Sequence, residues 1–218
     1  MPYLDLPDCK LHYKVDDHTD AWTRPDTVLF VHGFTENTEA WRAWVPHFSR
    51  RYRMVRIDQR GFGHAPQYGI WAGGDRMADD VWQVAQLVRE RHPDIPLYGF
   101  GESMGGAVFL RALQRHPPGW VDAIVLSAPA VWSRDEMRMY QRMPLNALAH
   151  SWRGLKLSGS ITGRKPSDNP ATLQALREDP LVIHRTRVDV IFGLADLMDA
   201  VTLEPDAGHA DARPLWST

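Results

Sequence analysis

The stretch IPLYGFGESMG, residues 95–105, decides how the rest of the chain is read. Its first six residues are an apolar run of the kind buried on both faces of a parallel sheet, and residues 104–115 behind it have helical spacing, with Val108, Leu110 and Leu113 apolar. Between the two, Ser103 has Gly101 two residues before it and Gly105 two residues after. A serine so placed reads as a nucleophile elbow. The turn is sharp enough that the serine must take a strained backbone conformation, and bulkier neighbours would strike the incoming strand and outgoing helix. Ser103 is therefore expected to stand exposed above a sheet. The pattern gains its weight from its surroundings, because three fixed letters recur by chance.

Upstream, residues 27–31 and 53–57 are further β-branched and aromatic runs, and residues 121–126 form another downstream. Segments with helical spacing lie between them. In residues 75–92, Met77, Val81, Val84 and Val88 make one stripe, with Asp75, Asp79 and Asp80 at the start and Arg89, Arg91 and His92 at the end, before Pro93. Residues 38–51, with Trp41, Trp44 and Val45, supply another crossover helix. Strand alternating with helix predicts an α/β fold, a doubly wound, mostly parallel sheet. Residues 2–6 and 10–15 precede it as short extended segments, the second alternating as a half-buried antiparallel strand does.

The alternation stops after Ser127. Pro144, Pro166 and Pro170 punctuate a stretch with a mixed helical signal carried by Met137, Met139, Met143, Leu145, Leu148, Trp152 and Leu155. This reads as an insertion over the strand ends. The expected division is a core at residues 1–129, a helical cap or lid at 130–200 and a divergent tail at 201–218.

Composition excludes several classes. With 218 residues and 44% hydrophobic content, the chain can bury one sizeable core. Its formal charge is -2 and no run of like charge stands out, which argues against nucleic acid as a partner. Cys9 is the only cysteine, so neither an internal disulfide nor a Cys/His zinc cluster can be built. No window approaches a membrane span and no leader-like segment opens the chain, so a cytoplasmic protein is expected if Met1 is the true start.

Two further motifs carry chemistry. HGF, residues 32–34, follows the buried run at 27–31. An acyl-transfer site needs two backbone N–H groups aimed at a developing oxyanion, one after the nucleophile and one from such a loop. Met104 and Phe34 are the candidate donors; Gly33 lets the loop approach, and His32 is read as bracing the loop rather than titrating. DQRGFG, residues 58–63, ends the next strand. Asp58 lies upstream of the serine, whereas the acid of this architecture lies downstream. It is read as structural, paired locally with Arg60.

In their order and spacing, HGF, DQRGFG and GESMGG resemble the α/β-hydrolase superfamily, and within it the bacterial branch similar to monoacylglycerol lipases and lysophospholipases, the serine aminopeptidase-like hydrolases. SAPAVW (127–132), KPSDN (165–169) and DPLVIHRTRVD (179–189) are similar to that branch's cap. The resemblance covers roughly residues 27–200. It implies Ser103 as nucleophile, Phe34 and Met104 as oxyanion-hole donors, a cap that binds an acyl chain, and no metal or organic cofactor. The expected substrate is a small acyl ester such as a monoacylglycerol or lysophospholipid.

The chain departs from that family in one respect. The acid should follow another strand in a G-x-x-D setting, and the histidine one strand more, so the last two strands read as missing. Residues 188–191 followed by Gly193 and Asp196 offer a substitute acid, with His209 as base. The twelve residues between those two are too few for a crossover and a strand. Val188, Ile191, Phe192, Ala195, Met198 and Val201 follow helical spacing instead, which favours a last cap helix. His209 is left as a weak candidate base, and Asp199 and Asp206 have weaker claims still.

Two functions of different class follow. One is a serine ester hydrolase working through a Ser103 acyl-enzyme; the other is a truncated or frame-shifted, inactive hydrolase-like protein or binding module, with the strand at 121–126 left as an exposed edge. Met137, Met139, Met143 and Trp132 suit either an adaptable acyl-chain wall or plain cap packing. Trp41, Trp44 and Trp82 are expected to pack.

Overall fold

The computed structural model describes residues 2–132, 154–158 and 167–203. Strands β1 (Tyr3–Leu6), β2 (Cys9–Asp16), β3 (Thr27–Val31), β4 (Arg53–Ile57), β5 (Leu97–Glu102) and β6 (Ala123–Ser127) form one sheet in the order β1-β2-β4-β3-β5-β6. β1 and β2 are an antiparallel hairpin joined to β4, while β4, β3, β5 and β6 run parallel. All five residues of β3 are buried, because layers cover both of its faces. Leu29 and Val31 enter the larger core with Val55, Ile57, Val84 and Val108; Val28 and Phe30 point the other way, against Trp41 and Met54.

Helices α1 (Val45–Phe48), α2 (Gly74–Arg91) and α3 (Met104–Arg115) make the crossovers. The stripe read on α2 is the buried one: Met77, Val81, Val84 and Val88 all face the core. The expected helix over residues 38–51 is instead a 3-10 turn, Thr38–Trp41, followed by the single turn of α1. Two local features divide it. The Asn37 side chain caps the first turn by accepting the Glu39 N–H at 2.8 Å, and Pro46, at the start of α1, has no N–H to continue a ladder. β5 likewise begins two residues after its apolar run does. Pro96 cannot donate to the sheet, and only its carbonyl takes part, accepting the Thr27 N–H at 2.9 Å.

Beyond the sheet lie α4 (Pro170–Glu178), the small antiparallel pair β7 (Lys156–Ser158) and β8 (Arg185–Arg187), and α5 (Val188–Leu203). The residues that suggested a strand with a G-x-x-D turn are therefore helical, and Asp196 lies exposed on α5. The helical backbone lets the segment bury two faces, Val188, Ile191 and Ala195 on one and Val190 and Leu197 on the other. Val190 and Leu197 join the main core. A Cβ added to Gly74, at the start of α2, would lie 2.9 Å from the Leu197 Cδ1, so α5 is packed on the body of the sheet domain.

β6 closes the described sheet at one margin with β5 as its neighbour, and Val125 on it is 53% exposed. Among the described residues no helix is long and apolar enough to cross a membrane. Met137, Met139, Met143, Leu145, Leu148, Trp152, Asp206 and His209 lie outside the described residues.

Candidate active site

β3 and β5 are parallel neighbours with Val31 opposite Gly101, so the loop that leaves β3 and the turn that leaves β5 emerge side by side. At that turn Ser103 has φ 48° and ψ −114°, in the left-handed half of the backbone map that non-glycine residues avoid at a cost of about 1–3 kcal/mol. Tertiary bonds hold it there. The Ser103 N–H donates to the Ser127 carbonyl at 2.9 Å, and the Ser103 carbonyl accepts from Ala130 at 2.9 Å and Gly106 at 3.1 Å.

The flanking glycines answer to contact. A Cβ on Gly101 would stand 2.8 Å from the Gly105 carbonyl oxygen and from the Gly106 nitrogen. One on Gly105 would run into the backbone carbonyls of Val31 and His32. The start of α3 is thus pressed against the end of β3, which sets the first N–H of the helix, that of Met104, beside the loop carrying Phe34. Among the described residues neither N–H meets a protein acceptor.

His32 is fully buried and engaged at both nitrogens. Its Nδ1 lies 2.8 Å from the Gly33 carbonyl, its Nε2 accepts the Gln59 N–H at 3.0 Å, and the Gln59 side-chain amide donates to the His32 carbonyl at 2.7 Å. That pattern suits a neutral ring, and burial pushes its pKa down. The ring ties the β3 loop to the turn after β4.

Asp58 is fully buried, and its partners differ from the one expected. Its carboxylate accepts the Thr38 N–H at 2.6 Å and the His64 N–H at 2.9 Å, and lies 2.8 Å from the Nδ1 of His12. Burial alone would raise its pKa; the His64 and Thr38 N–H groups that donate to it oppose that, and it is held below the ordinary carboxylate range. Arg60 turns elsewhere, pairing with Asp80 at 2.6 Å and Asp8 at 2.8 Å.

Sequence reasoning passed over Glu36. Its Oε2 accepts the Gly33 N–H at 3.1 Å, and a Cβ on Gly33 would stand 3.0 Å from that oxygen and 3.5 Å from the Ser103 Cβ. Carboxyl and serine therefore flank one glycine. Burial, then the charge of Glu102, pushes the Glu36 pKa up to about 7, and burial raises Glu102 as well. The available signal was an acid four residues beyond His32, in a loop leaving a strand buried at every position.

Residues 179–183 lie along the outer side of this loop. Asn37 donates its side-chain amide to Asp179 at 2.9 Å, and the Ile183 N–H donates to the Thr35 carbonyl at 3.1 Å. Among the described residues no histidine is hydrogen-bonded to the Ser103 hydroxyl.

The sequence pattern of the serine aminopeptidase, S33, hydrolases matches residues 24–211, a span holding the β3 loop, the turn after β4 and the elbow. The chain belongs to the serine aminopeptidase S33 family. Within reach of this S33 chain, the monoglyceride lipase of Mus musculus is 27% identical over 213 residues, covering 92% of the chain and 67% of the mouse protein. AB hydrolase superfamily protein YisY of Bacillus subtilis is 30% identical over 136 residues, covering 56% and 48%. The structure of a soluble variant of monoglyceride lipase from Saccharomyces cerevisiae, in complex with a substrate analog, matches with a TM-score of 0.73 at 21% identity, covering 90% of this chain and 67% of that one. The fold is that of an α/β-hydrolase. The S33 chain spans about half the length of several curated relatives it matches.

Proposed function

We propose that the chain carries an acyl-transfer site in which Ser103 attacks the carbonyl of a small carboxylic ester, of the monoacylglycerol or lysophospholipid class. The observation that carries this reading is the backbone of Ser103, held at φ 48° where the β5–α3 turn meets the β3 loop. Attack by Oγ yields a tetrahedral oxyanion, which the N–H groups of Phe34 and Met104 receive. Collapse expels the alcohol and leaves acyl-Ser103, which water then cleaves. Serine needs a base for the first step because its own pKa is far too high. His209 is the chain's candidate for that base.

Residues 130–200 act as a cap in this reading. The bonds from Asp179 and Ile183 to the β3 loop support it, since they lay the returning cap segment against the loop that carries Phe34. α5 serves as a packed foot for the cap.

A fluorophosphonate probe tests the proposal. Covalent labelling of the protein, lost in Ser103→Ala and accompanied by turnover of short-chain monoacylglycerols, is the expected result; labelling that persists in Ser103→Ala overturns it. A second reading has its own motive, namely that no described histidine is bonded to Ser103. In that reading the S33 chain retains the elbow without turnover. It predicts slow labelling at Ser103 and no steady hydrolysis, whereas hydrolysis that His209→Ala abolishes would sink it.

A further inference from the structure

On the far side of the β4 turn, three potential ligand atoms converge. His12, from the middle of β2, and His64, from the turn after β4, both bring Nδ1 to the same oxygen of Asp58, at 2.8 and 3.4 Å. The three ligand atoms all lie within 4.8 Å of one another, and the two imidazole centroids are 4.6 Å apart. A tetrahedral zinc site with bonds of roughly 2.0–2.1 Å has ligand-to-ligand edges of about 3.3 Å. The two nitrogen–oxygen separations bracket that edge.

The surroundings favour a cation. Asp58 is completely buried, and every partner it has is an N–H group or an imidazole; among the described residues no lysine or arginine pairs with it. Arg60, two residues on, is spent on Asp8 and Asp80. A buried carboxylate held by N–H groups and imidazoles, with no fixed cation against it, leaves its charge available to a divalent ion. The Thr38 N–H on the other carboxylate oxygen orients the group as an outer shell does. Gly63 permits the arrangement, for its positive φ of 56° carries the turn around the carboxylate, at a place where any Cβ would overlap Asp58.

His64 supplies the way in, with a side chain 25% exposed.

We infer that His12, Asp58 and His64 form a binding site for one divalent transition-metal ion of the zinc class. The site is structural in kind: it joins β2, the end of β4 and the glycine turn, next to the His32–Gln59 contacts that brace the β3 loop. Two imidazoles and one carboxylate leave a fourth position for water, reached past His64.

The test uses tag-free, chelator-stripped protein titrated with Zn²⁺ and, separately, Co²⁺. One Zn²⁺ per chain, a Tm rise of roughly 5–10 °C at a hundredfold excess over Kd, and visible Co²⁺ absorption of tetrahedral intensity are expected. His64→Ala, a change at a partly exposed side chain, lowers Zn²⁺ affinity at least tenfold and removes the Co²⁺ band. His47→Ala, at an exposed histidine outside the cluster, changes neither. Absence of stoichiometric binding, or binding of the same strength in His64→Ala, overturns the inference. So does a purely octahedral Co²⁺ spectrum.

Discussion

Gly33 and Ser103 face each other across the ends of two adjacent parallel strands, close enough that a methyl group on Gly33 would touch the serine's Cβ at 3.5 Å. The space above the serine is therefore bounded by the glycine's lack of a side chain. Gly33→Val fills it. In protein shown to be folded, the fluorophosphonate labelling rate should fall at least tenfold, and a variant labelled at the native rate would place the reacting space elsewhere.

Gly105 is constrained by backbone, which cannot swing aside as a side chain can. A Cβ there overlaps the Val31 and His32 carbonyls, so Gly105→Ala must push α3 off the sheet. Urea unfolding should report a loss of about 3 kcal/mol. The same substitution at Gly69, where an added Cβ meets nothing, is the matched comparison, although its positive φ carries a smaller penalty of about 1 kcal/mol.

Glu36 gives the protein a pH-dependent stability. Its pKa rises from 4.5 in the unfolded chain to about 7 in the folded one, because burial and Glu102 disfavour the anion. The folded state then holds the proton more tightly, so the contribution is fully present below about pH 4.5 and is lost as pH climbs through 7. A single group allows a slope of at most about 1.4 kcal/mol per pH unit, and partial exposure keeps it below that. Glu36→Gln should flatten the decline between pH 5 and 7, as followed by urea midpoints. An unchanged slope would show that Glu36 is ionised in the fold at ordinary pH.

Leu197 tests whether α5 belongs to the body of the domain or moves with a lid. It is buried among α2 and core side chains, with Gly74 against it. Leu197→Ala should cost about 2–5 kcal/mol of global stability. Local fraying of α5 in hydrogen exchange, with the rest of the protein unaffected, would contradict that assignment.

The parts legible in the sequence were those fixed by short-range chemistry. β3 and β4 were bounded to the residue, β3 because a strand buried on both faces carries an unbroken β-branched and aromatic run, and α2 was placed within one residue at each end because its stripe and terminal charges agree. The helix expected after Asn37 broke where Pro46 removes a donor, a rule visible in the sequence but outweighed there by the apolar spacing of Trp41, Trp44 and Val45. Asp58 was correctly set apart from Ser103, yet given the wrong partner, since its true contact with His12 spans 46 positions. Glu36 went unread for a different reason. A carboxyl near neutrality is produced by burial, and burial belongs to the assembled fold.

The braces on Ser103 bear on the order in which the protein becomes competent. Ser127 and Ala130, which bond to both sides of the serine's peptide units, arrive more than twenty positions later in the chain. A nascent chain released only as far as α3 has the strand, the helix and the glycines, but lacks the Ser127 and Ala130 bonds that help hold the serine at φ 48°. The full set of bonds on the serine is thus complete only once β6 and residue 130 are in place, and on the proposed acyl-transfer reading reactivity toward a serine probe would report that they are.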